Sequence, residues 1–105
     1  MIGKTEGELT EAKIPYEIGV AKYDDIVKGQ MVGDETGMLK ILFHPETLRV
    51  LGVHAIGESA TEIIHIGQTV LSLDGTIEFF RDSVFNYPTF AEAYKVAALN
   101  GLNKL

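Results

Sequence analysis

"LKILFHPETLRVLGVHAIG", residues 39–57, decides the fold. Two runs rich in branched and aromatic residues flank "PET", in which Pro45 presets the backbone angle that opens a turn. The pattern predicts an antiparallel hairpin, Met38–His44 with Leu48–Ile56. The second run is apolar at Val50, Leu51, Val53, Ala55 and Ile56. Both of its faces therefore meet apolar neighbours, which places it inside a sheet.

Upstream, "YEIGVAKY" (16–23) reads as a further strand and "YDDIVKG" (23–29) as a short turn of helix. Helix starts are marked by a Ser or Thr with Glu three residues on: Thr5 with Glu8, Ser59 with Glu62, and Thr89 with Glu92. In each pair the hydroxyl can accept from an early N–H while the carboxylate reaches back to the cap's own N–H. Thr76 in "GTIEFF" is a simpler cap of the same kind. From Ser59 onward, Ala60, Ile63, Ile64, Gly67, Val70 and Leu71 fall on one helical face, with Ile66 and Leu73 on a second. The last helix, from Thr89 to about Asn103, carries Phe90, Ala93, Tyr94, Ala97 and Gly101 on one side and Val96 and Leu99 on another. Helices apolar on more than one side are covered on more than one side. The small residues Ala93, Ala97, Ala98 and Gly101 let another element approach closely. Strands clustered ahead of helices mean an α+β fold, an antiparallel sheet with helices packed on it.

The 105 residues make one domain, and 46% of them are hydrophobic at a mean hydropathy of +0.12. So apolar a small domain is expected to bury part of its surface against a partner. Nine Lys and Arg against fifteen Asp and Glu form no basic stripe, which argues against nucleic acid. The absence of cysteine removes disulfide and thiol chemistry from this chain. No apolar run reaches the roughly 18 residues that span a bilayer, and the expected location is the cytoplasm. His44, His54 and His65 lack the pairing that a metal site needs, so no metal is expected. No glycine-rich phosphate loop occurs. At the start of the last helix, Glu92 reads first as the capping partner of Thr89. Tyr87 reads as a packed aromatic, and Pro88 is a common residue ahead of a helix. A reaction does not follow from these residues alone.

Three longer stretches resemble a known family. "IGKTEGELTEAKIPYEIGVAKY" (2–23), "LKILFHPETLRVLGVHAIGESATEIIHIGQ" (39–68) and "YPTFAEAYKVAALNGLNKL" (87–105) are similar to the C-terminal dimerisation domain of the flavoprotein pyridine nucleotide-disulfide oxidoreductases. "GESATEIIHIGQ", "FNYPTFAEAY" and "AALNGLNKL" resemble its transhydrogenase branch most closely. The resemblance implies that residues 1–105 are a single dimerisation domain, a fragment without the FAD- and NAD-binding domains of its parent. It implies a homodimeric or larger parent that uses FAD and passes hydride between NADPH and NAD⁺. The fragment itself is expected to bind no cofactor and to be inactive.

In the disulfide-reducing members a His stands before this Pro-Thr, and a Glu five residues after the His orients it. Here Tyr87 takes the His position and Glu92 the Glu position. A dithiol reaction needs an imidazole to move protons near neutral pH, whereas hydride exchange through a flavin has no such need. The departure therefore fits transhydrogenation and speaks against disulfide reduction. By the same resemblance Tyr87, Pro88 and Thr89 face the partner subunit's FAD, across a cis Tyr87–Pro88 bond, and Glu92 keeps the capping role. The alternatives are the same domain of a dihydrolipoamide dehydrogenase-like reductase, or a free-standing binding module.

Overall fold

The hairpin forms as its sequence predicts. The computed structural model describes residues 1–26, 37–57, 60–83 and 89–105; Ser59, Tyr87 and Pro88, with the expected Ser59 cap and the Tyr87–Pro88 bond, lie outside the described residues. Strands β3 (Met38–Phe43) and β4 (Val50–Ile56) pair antiparallel from Met38 opposite Ile56 to Phe43 opposite Val50. His44 builds the turn between them. Its Nδ1 accepts from the N–H groups of Glu46 (3.1 Å) and Thr47 (3.3 Å), and its carbonyl accepts from Leu48 N–H at 2.9 Å. Leu48 closes the loop at φ +64, a left-handed angle that a leucine adopts only under local strain.

Two more strands complete a sheet in the order β1–β4–β3–β2. β2 (Glu17–Lys22) lies antiparallel to β3, and β1 (Ile2–Gly3) pairs with β4. β4 is interior, as its apolar run predicts. β1 has no signature in the sequence, because two residues carry no readable period.

Helix α1 (Glu6–Glu11) has the full capping box read from its sequence: Thr5 Oγ1 accepts from Glu8 N–H at 3.2 Å, and Glu8 accepts from Thr5 N–H at 3.4 Å. Helix α2 (Ala60–Ser72) is followed by α3 (Glu78–Asp82) and α4 (Glu92–Leu102). The Thr76 cap is corrected. No side-chain cap bond precedes α3, and Thr76 is drawn instead into a bridge with Arg49 of the hairpin turn. Ile77 N–H donates to Leu48 O (2.8 Å) and Val50 N–H to Gly75 O (3.0 Å), so the α2–α3 link extends the sheet beside β4.

Helices α2 and α4 share one face of the sheet. Gly19, Ile41 and Val53 stand across from one another in register. A Cβ on Gly19 would run into the carbonyl of Ala97, with the Gly101 nitrogen 3.1 Å away. Gly67 of α2 rests on Val53 in the same manner. The side of α4 read as apolar, Phe90, Ala93, Tyr94, Ala97 and Gly101, is thus buried within the chain itself. Leu39, Ile41, Phe43, Phe80 and Tyr94 are all fully buried in this core. Burying such side chains contributes about 1.5–3 kcal/mol each. The opposite face carries Lys40, paired with Glu6 of α1, and the fully buried Leu42.

The outer edge of β2 is covered. Val20 N–H donates to Asn100 Oδ1 at 3.0 Å, and Lys104 Nζ donates to Ile18 O at 2.8 Å. Satisfying these edge groups removes a template for pairing with another strand. Space at Gly19 gives a direct test. Gly19→Ala is expected to cost about 1–3 kcal/mol through forced separation of α4 from β2, read as a lower urea midpoint. Gly7→Ala, where only Thr5 Oγ1 lies within 4 Å, should instead leave stability unchanged or raise it by about 0.5–1 kcal/mol.

Candidate functional site: the start of the last helix

Helix α4 opens on a tight turn built by Thr89 to Tyr94. Ala93 N–H donates to Phe90 O (3.0 Å) and Tyr94 N–H to Ala91 O (3.1 Å), spacings of three residues typical of a first helical turn. Glu92 Oε2 accepts from Thr89 N–H at 3.2 Å, the return half of the predicted capping box. The start at Thr89 is corrected: α4 begins at Glu92, with Ala91 in the N-cap position and no side-chain cap bond there. Phe90 anchors the turn, with its ring centroid 4.6 Å from that of Tyr23. Lys95 Nζ donates to Ser83 O at 3.4 Å, which ties the helix to the end of α3. Thr89 and Glu92 are therefore brought together, and the carboxylate works on the backbone.

Tyr94, read from sequence as one member of an apolar face, has a second role that its period did not signal. Its hydroxyl donates to Ile63 O at 2.5 Å and accepts from Gly67 N–H at 3.0 Å. Its ring stacks on Phe80 with centroids 4.7 Å apart. Burial pushes the phenol up to about 12, so it remains a donor near neutral pH. A glycine inside a helix costs about 1 kcal/mol relative to alanine. At position 67 that cost is offset by room for Val53 and for this hydroxyl. The mid-helix glycine was the one sequence signal available.

The histidines are scattered. His44 is engaged in the hairpin turn, His65 faces Gln68 Oε1 at 3.2 Å, and His54 Nε2 lies 3.3 Å from Lys4 O. Among the described residues no three His, Asp or Glu gather as a metal site. A hollow of about 460 Å³ is lined by residues that include Lys4, Glu8, Arg49 and Asp74, and Arg49 is already paired with Asp74. Gly3 is the one glycine of its lining, so no glycine-rich phosphate loop closes it. Thr89 N–H is occupied by Glu92. That hollow and the Thr89 turn thus do not fit a flavin nucleotide by themselves, and no step through one is assigned to them. No described helix is long and apolar enough to cross a membrane.

Comparison with known proteins agrees with this architecture. Residues 1–98 match the family described as pyridine nucleotide-disulphide oxidoreductase, dimerisation domain. The chain is 56% identical to the soluble pyridine nucleotide transhydrogenase of Hahella chejuensis and 57% identical to that of Yersinia pestis. Each alignment covers 99% of this chain and 23% of the relative. The chain thus spans less than a quarter of the relatives it matches. Among solved structures, the HOCl-induced flavoprotein disulfide reductase RclA from Escherichia coli superposes with a TM-score of 0.86 at 23% identity, covering 92% of this chain and 22% of that one. LpdA from Mycobacterium tuberculosis gives a TM-score of 0.86 at 16% identity over 93% of this chain and 21% of its own. These two likenesses concern the fold.

Two outcomes follow from the geometry. Glu92→Ala should lower stability by about 0.5–2 kcal/mol, the range of a lost cap, and Glu92→Gln by less; equal losses in urea titrations would exclude a capping role. His54 is held below its usual value of 6.5, chiefly by burial and further by the charge of Lys40, while its contact with Lys4 O acts the other way. A depressed histidine disfavours protonation of the folded state, so its contribution is present above pH 6.5 and lost as pH falls through the folded value. Replacing His54 by Gln should therefore flatten the fall in urea midpoint between pH of about 7 and about 5.

Proposed function

The chain belongs to the pyridine nucleotide-disulphide oxidoreductase dimerisation-domain family, and from that premise we propose that it is the self-associating part of a flavin-dependent transhydrogenase. The parent chain would carry FAD- and NAD-binding domains ahead of these residues and move hydride between NADPH and NAD⁺ in the cytoplasm. Tyr87 carries this reading against a disulfide reductase. It stands where the dithiol members place their proton-shuttling His, and a phenol with an ordinary pKa of about 10 is poorly matched to that shuttle at neutral pH. Identity of 53–57% to named transhydrogenases along 99% of the chain supports the same choice.

The contribution of this chain is assembly and placement. Leu73 and Phe79 are 76% and 52% exposed and border an apolar hollow of about 310 Å³ with Thr69, Val70 and Gly75. We propose a second copy as the cover of this face, in keeping with the family's description as a dimerisation domain. Burying these side chains is worth about 1.5–3 kcal/mol each, enough to bias association. The bond from Thr89 N–H to Glu92 lies just ahead of the start of α4. We propose that Tyr87, Pro88 and Thr89 face the flavin of the partner subunit.

Sedimentation of the purified chain is expected to give a dimer or larger assembly at high micromolar concentration, without flavin absorbance and without NADPH-dependent reduction of an NAD⁺ analogue. A monomer throughout that range would refute self-association by these residues alone. Retained flavin or activity would refute the division of labour. In the full-length parent, replacing Tyr87 with His should leave disulfide reduction absent; a redox-active Cys pair in the parent reading frame would overturn the transhydrogenase reading.

A further inference from the structure

Ile63 C=O and Gly67 N–H are four residues apart, the two ends of one rung in α2. The Tyr94 hydroxyl bonds to both, donating to the first at 2.5 Å and accepting from the second at 3.0 Å. The ring that carries it is fully buried and stacked on Phe80, which leaves the hydroxyl little freedom to withdraw. A Cβ at position 67 would stand 3.0 Å from that hydroxyl and 2.8 Å from Val53 Cγ2, so only glycine leaves room for it there. A side chain inserted at a rung is one of the few causes of a bend in a helix. Val70 and Leu73, one and two turns further on, line the apolar hollow with Phe79.

We infer that the Tyr94 hydroxyl is a wedge in α2 that sets the shape of the surface offered to a second copy of the chain. Tyr94 is thus a positioning residue for self-association, a role that rests on the self-association reading above. Without the hydroxyl the two backbone groups can close on each other as an ordinary rung. The helix is then altered in shape, beyond the loss of one bond. Packed cores pass such shifts on because they are too dense to absorb them locally.

Sedimentation equilibrium on wild type, Tyr94→Phe, Gly67→Ala and the double variant tests this. Tyr94→Phe keeps the ring and is expected to remain folded by circular dichroism while its dissociation constant rises roughly tenfold or more. Gly67→Ala should weaken association in the wild-type background and do less harm beside Tyr94→Phe, a coupling that independent sites do not show. A folded Tyr94→Phe variant with a dissociation constant within about twofold of wild type would overturn the inference, as would a strictly additive cycle. If Tyr94→Phe does not fold, amide exchange in the wild type decides. The Gly67 amide should exchange more slowly in concentrated than in dilute protein, and equal rates would overturn the wedge. Should the wild-type chain be monomeric throughout, the self-association reading fails separately. Backbone chemical shifts of residues 69–73 in Tyr94→Phe then decide: displaced shifts support the wedge, and unchanged shifts overturn it.

Discussion

Everything else in the structure depends on the close seating of α4 against β2. Gly19 and Gly101 put no side chain between helix and strand, and the Ala97 carbonyl occupies the space where a Cβ on residue 19 would stand. At that distance Asn100 and Lys104 reach past the helix end and satisfy the outer edge of β2. A larger residue at either glycine would move the helix outward and withdraw these side chains together. Tyr94, on the same helix, would be carried away from α2.

From that seating follows the arrangement of the helical layer. Tyr94 joins α4 to α2 through its hydroxyl and to α3 through its stack on Phe80. Phe90 extends the contact to Tyr23 at the end of β2. The polar atom at the centre of this cluster has both of its hydrogen bonds made to backbone, which is the condition under which a buried hydroxyl stabilises rather than costs. The layer is thereby one body, and the position of the Thr89–Glu92 turn is tied to that of α2.

Function follows the same division. The described residues gather no metal ligands, and their carboxylates serve backbone caps and surface ion pairs, as Glu8, Glu92 and Asp74 do. What they provide is a rigid sheet-and-helix platform with an apolar border at Leu73 and Phe79. Such a platform is suited to holding two copies in register, and the family to which the chain belongs is defined by that task.

The sequence by itself determined the hairpin, the Thr5 cap, the apolar faces of both long helices and the bond of Glu92 back to Thr89 N–H. These are read from periods of two or 3.6 residues and from pairs three residues apart, where neighbours in sequence are neighbours in space. Its likeness to the dimerisation-domain family was legible in the same way, in continuous stretches. Tertiary structure alone decided that Ile2–Gly3 is a strand, since only Val53 and Gly52 opposite make it one. It also decided that Thr76 bridges Arg49 rather than capping α3, and that the small face of α4 meets the chain's own β2. The bond from Gly67 to Tyr94 spans 27 positions. Contacts of that range arise from packing density and the need to satisfy buried polar groups, which no local pattern records.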